Sequence, residues 1–486
     1  MSEPLLLGID DGTSGVKVAA YDLGLHEVAR AHRAVTLRHP RPGWVEQDAT
    51  HVLDAVVDAV AEVLGRVHGE VVACGLDHQG ESVLAWDATT GQPAGPIIVW
   101  QDQRGTEVLA RQSDDAGREV ARLSGLPPDA YFSAASMGWL MTDGGLADRA
   151  GLRLGTVDAF LSDRLGAGHA TDPSTASRTQ LSGIVGDGAD GWDPGLLALF
   201  DVPEHALPSI HDSVGDLGML RHPRWRQALP LRARVADQQA ALAGTGCVRP
   251  GRAKATYGTG VFVLALAGDA PPRGARAQGL LPTVAWRTPS GTTYALDGGV
   301  FSAGSMLEWL ASGLGMAPSV PDLLALATEV PDAAGVRVLP ALGGLGAPWW
   351  RPGARGAIAG LTAHSRPPHV VRAALDAICE RVVDIVTAMS RLVPVDELLV
   401  DGGLVRSQGF AARQATLLGR PVRRTDGDAT CRGVAALAAV GAGVIPSVAD
   451  IDTLLPPAEP VAPDPGARPG REGWTGFVER AAGLLE

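Results

Sequence analysis

Apolar and polar residues alternate in a recognisable order at the start of the chain. The stretch "LLLGIDDGTSGVKVAAYDLG" predicts a strand over residues 5–10, a glycine-bearing turn over 11–15 and a second strand over 16–22, which together form a β-hairpin. Apolar residues then recur every three or four positions in "THVLDAVVDAVAEVLGRV", which indicates an amphipathic helix. The apolar run "VVACGLD" follows as a further strand.

The second half of the chain repeats this alternation. The segment "PHVVRAALDAICERVVDIVTAMSRL" predicts a helix, "ELLVDGG" a strand and "FAARQATLLG" another helix. Near mid-chain, "KATYGTGVFVLALAG" matches the opening hairpin when Gly258-Thr259 is aligned with Gly12-Thr13. Strands alternating with helices favour an α/β architecture. The matched turns indicate two similar halves.

Length and composition narrow the function classes. A chain of 486 residues is long for one core, so we expect two domains. The formal net charge of −13 argues against a nucleic-acid partner. The N-terminus lacks the basic start of a signal peptide, and no apolar stretch is long enough for a membrane span. The four cysteines are far apart in sequence, which favours reduced, buried thiols and a cytoplasmic protein.

The opening hairpin could bind a nucleotide phosphate together with a metal ion. Backbone N–H groups of the Gly-Thr-Ser-Gly turn can converge on a phosphate, and Lys17 adds a positive charge. Asp10, at the end of the first strand, could hold Mg²⁺ directly or through water. A plain glycine hairpin is the alternative, and the stretch matches neither a Walker A loop nor a dinucleotide-binding fingerprint.

Later segments offer further candidates. "YGTGVF" could form the other half of a phosphate clamp, or another strand–turn–strand. In "RVADQQAALAG", Asp237 lies between a strand-like and a helix-like run, where it is either a helix N-cap or a base that takes a proton from a hydroxyl. "VDGGLVRSQGF" allows a ring or phosphate to approach the backbone, although tight helix–strand packing needs the same glycines. Residues 342–362, rich in glycine and aromatic residues, predict a long loop with a specific conformation.

Taken in order, these pieces resemble the FGGY family of carbohydrate kinases, and within it the glycerol kinases. The resemblance extends over residues 5 to 443. Its markers are "GWVEQDA", "IVWQDQR", "YFSAASMGWL", "GTVDAFLSDRLGAGHATDPSTASRT", "ADQQAALAG", "YGTGVF", "GLGAPWWRPGARGAIAGLT" and "VDGGLVRSQGF". The resemblance implies two actin-like (ribonuclease-H-like) ATPase domains flanking an interdomain cleft. We expect an N-terminal domain at 1–243 on the acceptor side and a C-terminal domain at 244–486 on the nucleotide side.

The resemblance also implies the site residues, ATP and Mg²⁺. It makes Asp237 the general base and Asp10 the magnesium-associated acid. The implied nucleotide contacts are Thr13, Ser14, Lys17, Gly258, Thr259, Gly304, Glu308, Gly403 and Ser407. The implied acceptor contacts are Gln79, Glu81, Trp100, Tyr131, Asp237, Gln238 and Phe262. Ser407 replaces the family's usual Asn and Glu308 its usual Gln, which puts the adenosine contacts in doubt.

One departure concerns the acceptor. Where glycerol kinases carry a motif resembling "NQRET", this chain reads "HQGES", so Gly80 replaces the arginine and His78 the asparagine. We therefore expect ATP-dependent phosphorylation of a primary hydroxyl, either of glycerol or of a longer acceptor such as a tetritol, pentitol or ketopentose, with His78 donating into the gap. The rivals are an actin-like ATPase that binds a protein partner and a catalytically dead regulatory member. The sequence does not decide between a homodimer and a homotetramer.

Overall fold

The computed structural model describes residues 3–147, 149–184, 191–425, 428–464 and 471–484. Two main β-sheets, one from each half of the chain, each carry helices on their faces. No helix in these ranges has the length and apolar character needed to cross a bilayer. All four cysteines are buried free thiols, as their spacing predicted.

In the first half, the residues that the structure describes form twelve strands and eight α-helices. The strands are β1 Pro4–Gly12, β2 Gly15–Tyr21, β3 Glu27–Ala34, β4 Glu46–Gln47, β5 Glu70–His78, β6 Val83–Asp87, β7 Ile97–Ile98, β8 Leu152–Thr156, β9 Ala170–Thr171, β10 Ser209–Ile210, β11 Met219–Leu220 and β12 Leu229–Ala236. The helices are α1 Ala49–Arg66, α2 Thr106–Leu109, α3 Asp114–Ser124, α4 Ser133–Met141, α5 Val157–Arg164, α6 Pro173–Ala176, α7 Pro194–Leu199 and α8 Asp237–Gly244.

The described part of the second half contains nine more strands and six more α-helices. The strands are β13 Gly251–Tyr257, β14 Val261–Gly268, β15 Leu281–Thr288, β16 Gly291–Val300, β17 Arg337–Leu339, β18 Ala357–Ala359, β19 Val395–Gly402, β20 Val422–Arg424 and β21 Glu459–Pro460. The helices are α9 Gly304–Glu308, α10 Val320–Leu326, α11 Pro367–Met389, α12 Gln408–Leu418, α13 Ala429–Gly441 and α14 Trp474–Ala482.

The two main sheets share one plan. In the first, β1 pairs antiparallel with β2 and parallel with β5, in the order β11-β12-β5-β1-β2-β3. In the second, β13 pairs antiparallel with β14 and parallel with β19, in the order β15-β16-β14-β13-β19-β20-β21. The turns at Thr13 and Thr259 therefore occupy the same place in each sheet, as the aligned motifs predicted.

Local sequence explains the elements well. Helix α1 begins after Asp48, whose side chain accepts hydrogen bonds from the N–H groups of Thr50 and His51, and it buries Val52, Val56 and seven other apolar residues on one face. The opening hairpin has a longer first strand and a tighter turn than predicted, because pairing continues as far as Gly12 and Gly15. In the second half, the long predicted helix corresponds to α11. The strand and the helix predicted after it correspond to β19 and α12.

Helix α13 joins the halves, because it belongs to the second half yet packs on α8 and on strands β1, β5 and β12 of the first sheet. Glycines allow this close approach: a Cβ at Gly433 would lie 1.9 Å from the carbonyl oxygen of Ala240, and a Cβ at Gly8 2.2 Å from that of Cys431. The predicted domain boundary at residues 243 and 244 falls at the end of α8 and stays a prediction.

Candidate active site

Strand register places three charged residues in one row on the first sheet. Lys17 of β2 lies directly opposite Asp10 of β1, and Asp77 of β5 is paired with Asp10 on the other side. Register partners point to the same face of a sheet, so the three side chains share a face. Lys17 Nζ lies 3.0 Å from Asp10 Oδ2 and 2.9 Å from Asp428 Oδ2, at the N-cap of α13.

Burial shifts the pKa values of the acids in this row. Burial raises the pKa of Asp10 to about 6; Lys17 opposes this shift and Asp428 adds to it. Burial, reinforced by Asp10, also raises the pKa of Asp77 well above its usual range. Burial disfavours the charge on Lys17, but Asp10 and Asp428 outweigh it and raise the pKa of the lysine. A cation placed beside these acids would favour their ionised forms.

The first glycine turn is fixed by its neighbours. Trp100 Nε1 donates a hydrogen bond of 2.9 Å to Thr13 Oγ1, and Gln47 Nε2 donates one of 2.7 Å to the Thr13 carbonyl. The carbonyl of Ser14 accepts a bond from the N–H of Val35. Ser14 is exposed and Thr13 half-buried, so the turn can still meet a ligand.

The second glycine turn is exposed and is supported by the start of α9. The Thr259 carbonyl accepts bonds from the N–H groups of Ala303 and Ser305, at 3.0 and 3.1 Å. The Gly258 carbonyl accepts from Gly304 N at 3.1 Å, and a Cβ at Gly304 would lie 2.5 Å from that carbonyl oxygen. The structure thus brings together Gly258, Thr259 and Gly304.

Asp237 is the first residue of α8, directly after β12. The N-cap is Ala236, so the alternative interpretation of Asp237 as the cap is wrong. Burial raises the pKa of Asp237, while the charges of Lys254 and His78 oppose that shift. A half-buried carboxylate at the end of a strand, with a raised pKa, is chemically suited to accept a proton from a hydroxyl.

Lys254 is a residue of this site that sequence reasoning did not include. Its Nζ donates to Gln238 Oε1 at 2.5 Å and to Thr256 Oγ1 at 3.1 Å, and the side chain is completely buried. Burial lowers the pKa of Lys254, and Asp401 and Asp237 oppose this shift. The scarcity of lysine in the chain, two among 41 basic residues, was the available signal.

Three of the predicted acceptor residues, Trp100, Tyr131 and Phe262, pack together in an aromatic cluster, called the aromatic pocket below. Trp100 packs edge-on against Tyr131 at 5.6 Å between ring centroids, and against Phe262 of the second half at 6.4 Å. Gln79 is buried and donates to Gln47 Oε1 at 2.8 Å. Glu81 has a φ of +52°, an unfavourable conformation for a non-glycine residue that is typical of constrained sites.

Sequence reasoning also missed two charged residues beside this pocket. Arg178 Nε donates to Glu81 Oε1 at 2.7 Å, and Arg178 Nη1 lies 2.9 Å from Asp297 Oδ2. Arg178 belongs to the quoted segment "DPSTASRT", but nothing in that segment points to Glu81 or to a strand of the other half.

The expectation that His78 donates to the acceptor is wrong. Its Nε2 lies 2.9 Å from Thr175 Oγ1 and 3.4 Å from Asp158 Oδ1, and its Nδ1 lies 3.1 Å from the Gln79 carbonyl. The ring is fully buried and both nitrogens are engaged. By contrast, a Cβ built at Gly80 would lie 3.9 Å from the Ala236 Cβ, an ordinary van der Waals distance, so a side chain could begin at this position without a clash.

A cavity of about 870 Å³ opens between the halves beside Lys17. Gly403 and Asp428 line it, together with Arg30, His32, Thr256, Asp401, Gly402, Val405, Arg406, Arg424, Thr425, Ala429, Thr430 and Glu459. Of the predicted nucleotide residues, Lys17 and Gly403 are in this lining. Ser407 is the residue preceding α12, and Glu308 is exposed at the end of α9; neither lines the cavity.

The residues present fit Mg²⁺ held mainly through water and phosphate. In the described ranges, no group of three or more His, Cys, Asp or Glu side chains could hold a metal ion by itself. Both carboxylate oxygens of buried Asp77 lack a hydrogen-bond partner among those residues, and Asp10 lies beside it. Mg²⁺ keeps several waters and commonly takes one or two carboxylates, so this donor set suits it.

Comparison with known proteins identifies this architecture. The model of the N-terminal domain of the FGGY family of carbohydrate kinases matches residues 5–244, and that of the C-terminal domain matches residues 253–442. The chain belongs to the FGGY family of carbohydrate kinases. The resemblance read from the motifs is therefore confirmed, and this FGGY chain is a carbohydrate kinase with two actin-like domains.

Curated relatives of this FGGY kinase match over most of its length. The glycerol kinase of Gloeobacter violaceus is 40% identical over 462 residues, covering 93% of this chain and 91% of the relative. That of Halorhodospira halophila is 39% identical over 500 residues, covering 99% and 97%.

Solved structures agree on the fold of the FGGY kinase. The Plasmodium falciparum glycerol kinase with ADP superposes with a TM-score of 0.87 at 26% identity, covering 100% of this chain and 99% of that one. A ligand-bound xylulose kinase from Lactobacillus acidophilus gives a TM-score of 0.88 at 18% identity, covering 99% of both chains, and shares the fold.

Proposed function

We propose that this kinase transfers the γ-phosphoryl group of ATP to a primary hydroxyl of glycerol or a longer polyol. The observation that supports this most directly is the position of Asp237 at the start of α8, where its charge acts on Asp10 of the opening hairpin and on Tyr131 of the aromatic residues. The glycerol kinases among its relatives support the same acceptor class.

In the proposed mechanism, residues of both halves act together on the acceptor and the phosphates. Asp237 orients the acceptor hydroxyl and takes its proton as the oxygen attacks phosphorus. The turns at Thr13-Ser14 and Gly258-Thr259 hold the phosphates through backbone N–H groups, and Lys17 supplies positive charge. Mg²⁺, held by Asp10 with water and phosphate oxygens, would neutralise phosphate charge.

The remaining nucleotide and acceptor contacts are also proposals. Gly304, Glu308, Gly403 and Ser407 bind the nucleoside end of ATP in this proposal. Gln79, Glu81, Trp100, Tyr131, Gln238 and Phe262 bind the polyol. Closure of the halves excludes water, which would otherwise compete with the acceptor. The buried free thiols fit a cytoplasmic protein. The oligomeric state in this proposal is a homodimer or a homotetramer.

The gap at Gly80 favours a longer acceptor as the second candidate. A glycerol kinase with an arginine there would fill this space with a guanidinium, whereas a built Cβ at 80 has Ala236 as its one close neighbour. A tetritol, pentitol or ketopentose brings further hydroxyls that could occupy this space.

The decisive experiment measures ADP release by the purified chain with glycerol, erythritol, threitol, arabitol, xylitol, xylulose and ribulose. Asp237→Asn keeps the shape of the side chain but removes the base, so we expect a rate loss of about 10²- to 10⁴-fold with the best acceptor. Asp115→Asn, a change at an exposed helix position, serves as the matched control. If no acceptor raises ADP release above the Asp237→Asn background, the proposal is wrong.

A further inference from the structure

Arg178 links two carboxylates that belong to opposite halves of the molecule. Glu81 lies in the loop between β5 and β6 of the first half, and Asp297 lies on β16 of the second. Arg178 Nε donates to Glu81 Oε1 at 2.7 Å, while its Nη1 lies 2.9 Å from Asp297 Oδ2. The three side chains are each at least 91% buried.

The surroundings of Arg178 place this link in the wall of the aromatic pocket. The guanidinium lies over the rings of Tyr131 and Phe132, at 5.7 and 5.4 Å from their centroids, and Nη2 donates a long bond of 3.5 Å to the Tyr131 hydroxyl. A guanidinium stacked on aromatic rings is held in one orientation. Its two carboxylate partners are therefore fixed as well.

Asp297 keeps an unused acceptor atom. Its Oδ1 is buried and has no hydrogen-bond partner among the residues that the structure describes. Strand register pairs Asp297 with Leu264, and Leu264 with Lys254, so Asp297 points to the face of the second sheet that carries Lys254. A buried carboxylate oxygen without a donor is costly, and an acceptor hydroxyl is a suitable donor for it.

We propose that Asp297 is an acceptor-recognition residue, which receives a polyol hydroxyl opposite Glu81 while Arg178 holds both carboxylates in place. The polyol is then bound by both halves at once, and its specificity depends on closure of the cleft. This inference rests on the proposed function, because it assigns an additional contact to the same acceptor site.

A simple tether between the halves is the competing explanation of the Arg178–Asp297 pair. The molecule provides a matched control, because Arg287 of β15 donates from Nε to Asp212 Oδ1 of the first half at 2.7 Å. Asp212 is partly exposed, whereas Asp297 is buried, so the two pairs differ in their access to solvent. Asp212→Asn and Asp297→Asn each remove one charge from an ion pair between the halves.

The experiment compares acceptor KM, kcat and nucleotide Kd for wild type, Asp297→Asn and Asp212→Asn with glycerol, erythritol and threitol. We expect Asp297→Asn to raise the acceptor KM about tenfold or more while the Kd for ADP stays within twofold, since a lost bond to a charged group has this size. We expect Asp212→Asn to leave the acceptor KM unchanged. Equal effects of the two variants on acceptor KM, or no effect of Asp297→Asn, would overturn the inference.

Arg178 is tested as a positioning residue. Arg178→Lys keeps the charge but not the planar fork, and Arg178→Met removes both. We expect KM for the polyol to rise in both, with the lysine variant closer to wild type, and the Kd for ADP to stay within twofold. An Arg178→Met variant that binds ADP normally and keeps the wild-type KM would contradict the positioning role.

These outcomes separate the inference from the function on which it rests. If wild type phosphorylates a polyol but Asp297→Asn keeps its KM, the kinase assignment stands and the inference fails. If wild type phosphorylates none of these acceptors, the proposed function itself fails. Acceptor analogues that each lack one hydroxyl make the comparison more specific. For the analogue that lacks the hydroxyl bound by Asp297, we expect wild type and Asp297→Asn to show the same raised KM.

Discussion

The Trp100 indole N–H donates a 2.9 Å hydrogen bond to the hydroxyl of Thr13. This bond joins the wall of the proposed acceptor pocket to the turn proposed to hold phosphate. The bond restricts rotation of the Thr13 side chain about its Cα–Cβ bond and so fixes the position of the hydroxyl. The proposed acceptor and phosphate sites therefore share a direct contact.

Replacement of Trp100 by phenylalanine should test this link. The ring remains for packing against Tyr131, but the N–H donor is lost, so Thr13 is less well oriented. We expect kcat to fall about two- to tenfold, the usual size for a neutral hydrogen bond. Steady-state kinetics at saturating ATP and acceptor would measure it. An unchanged kcat would show that the bond has no role in turnover.

The pH dependence of kcat/KM should report the pair of Asp237 and Lys254. Asp237 must be ionised to accept a proton, so activity is expected to fall as the pH decreases through its raised pKa. Lys254 favours the ionised form, so Lys254→Met should raise the pKa further and move the acid limb to higher pH. Lys254→Arg keeps the charge and should move the limb less. A limb that stays in place in Lys254→Met would mean that another group controls it.

The residue at position 80 should influence which acceptor is preferred. Gly80→Arg introduces a Cβ without a clash, since the Ala236 Cβ lies 3.9 Å from the built atom. We expect the ratio of kcat/KM for erythritol to that for glycerol to fall by about tenfold or more. Gly95→Arg, an exposed glycine with open space around its Cβ, adds the same charge elsewhere and is the control. Equal ratios in the two variants would show that position 80 does not set specificity.

The contact between α8 and α13 should be intolerant of added volume. A Cβ at Gly433 would lie 1.9 Å from the Ala240 carbonyl oxygen, so Gly433→Ala must push the helices apart. We expect a loss of about 1–3 kcal/mol or more in the free energy of unfolding, measured by thermal and urea denaturation. Gly65→Ala has nothing within 4 Å of its Cβ and lies in α1, so it should stabilise by up to about 1 kcal/mol. A neutral Gly433→Ala would indicate that the interface can separate.

Much of the fold follows from local sequence. The apolar run of β1, the 3–4 spacing of α1 and the glycine turn after Asp10 each fix a local structure without distant partners. Repetition of the turn at Gly258 predicted two similar sheets, and the order of motifs predicted the family. The interpretation of Asp237 as an N-cap was wrong by one residue, because α8 begins at Asp237 itself. The donor role of His78 was wrong because the orientation of its ring depends on neighbours distant in sequence, such as Thr175 and Asp158.

The sequence by itself determined the strand–turn–strand units, the helical faces and the types of residue available for phosphate and hydroxyl chemistry, since these depend on short-range periodicity and side-chain chemistry. The tertiary structure alone decided which charges meet. Lys254 reaches Gln238, and Arg178 reaches both Glu81 and Asp297, because strand register and the packing of α13 bring residues 16 to 119 positions apart into contact. Such pairings depend on the packing of both halves around α8, which contacts β12 of the first sheet and β14 of the second. No local pattern records this packing.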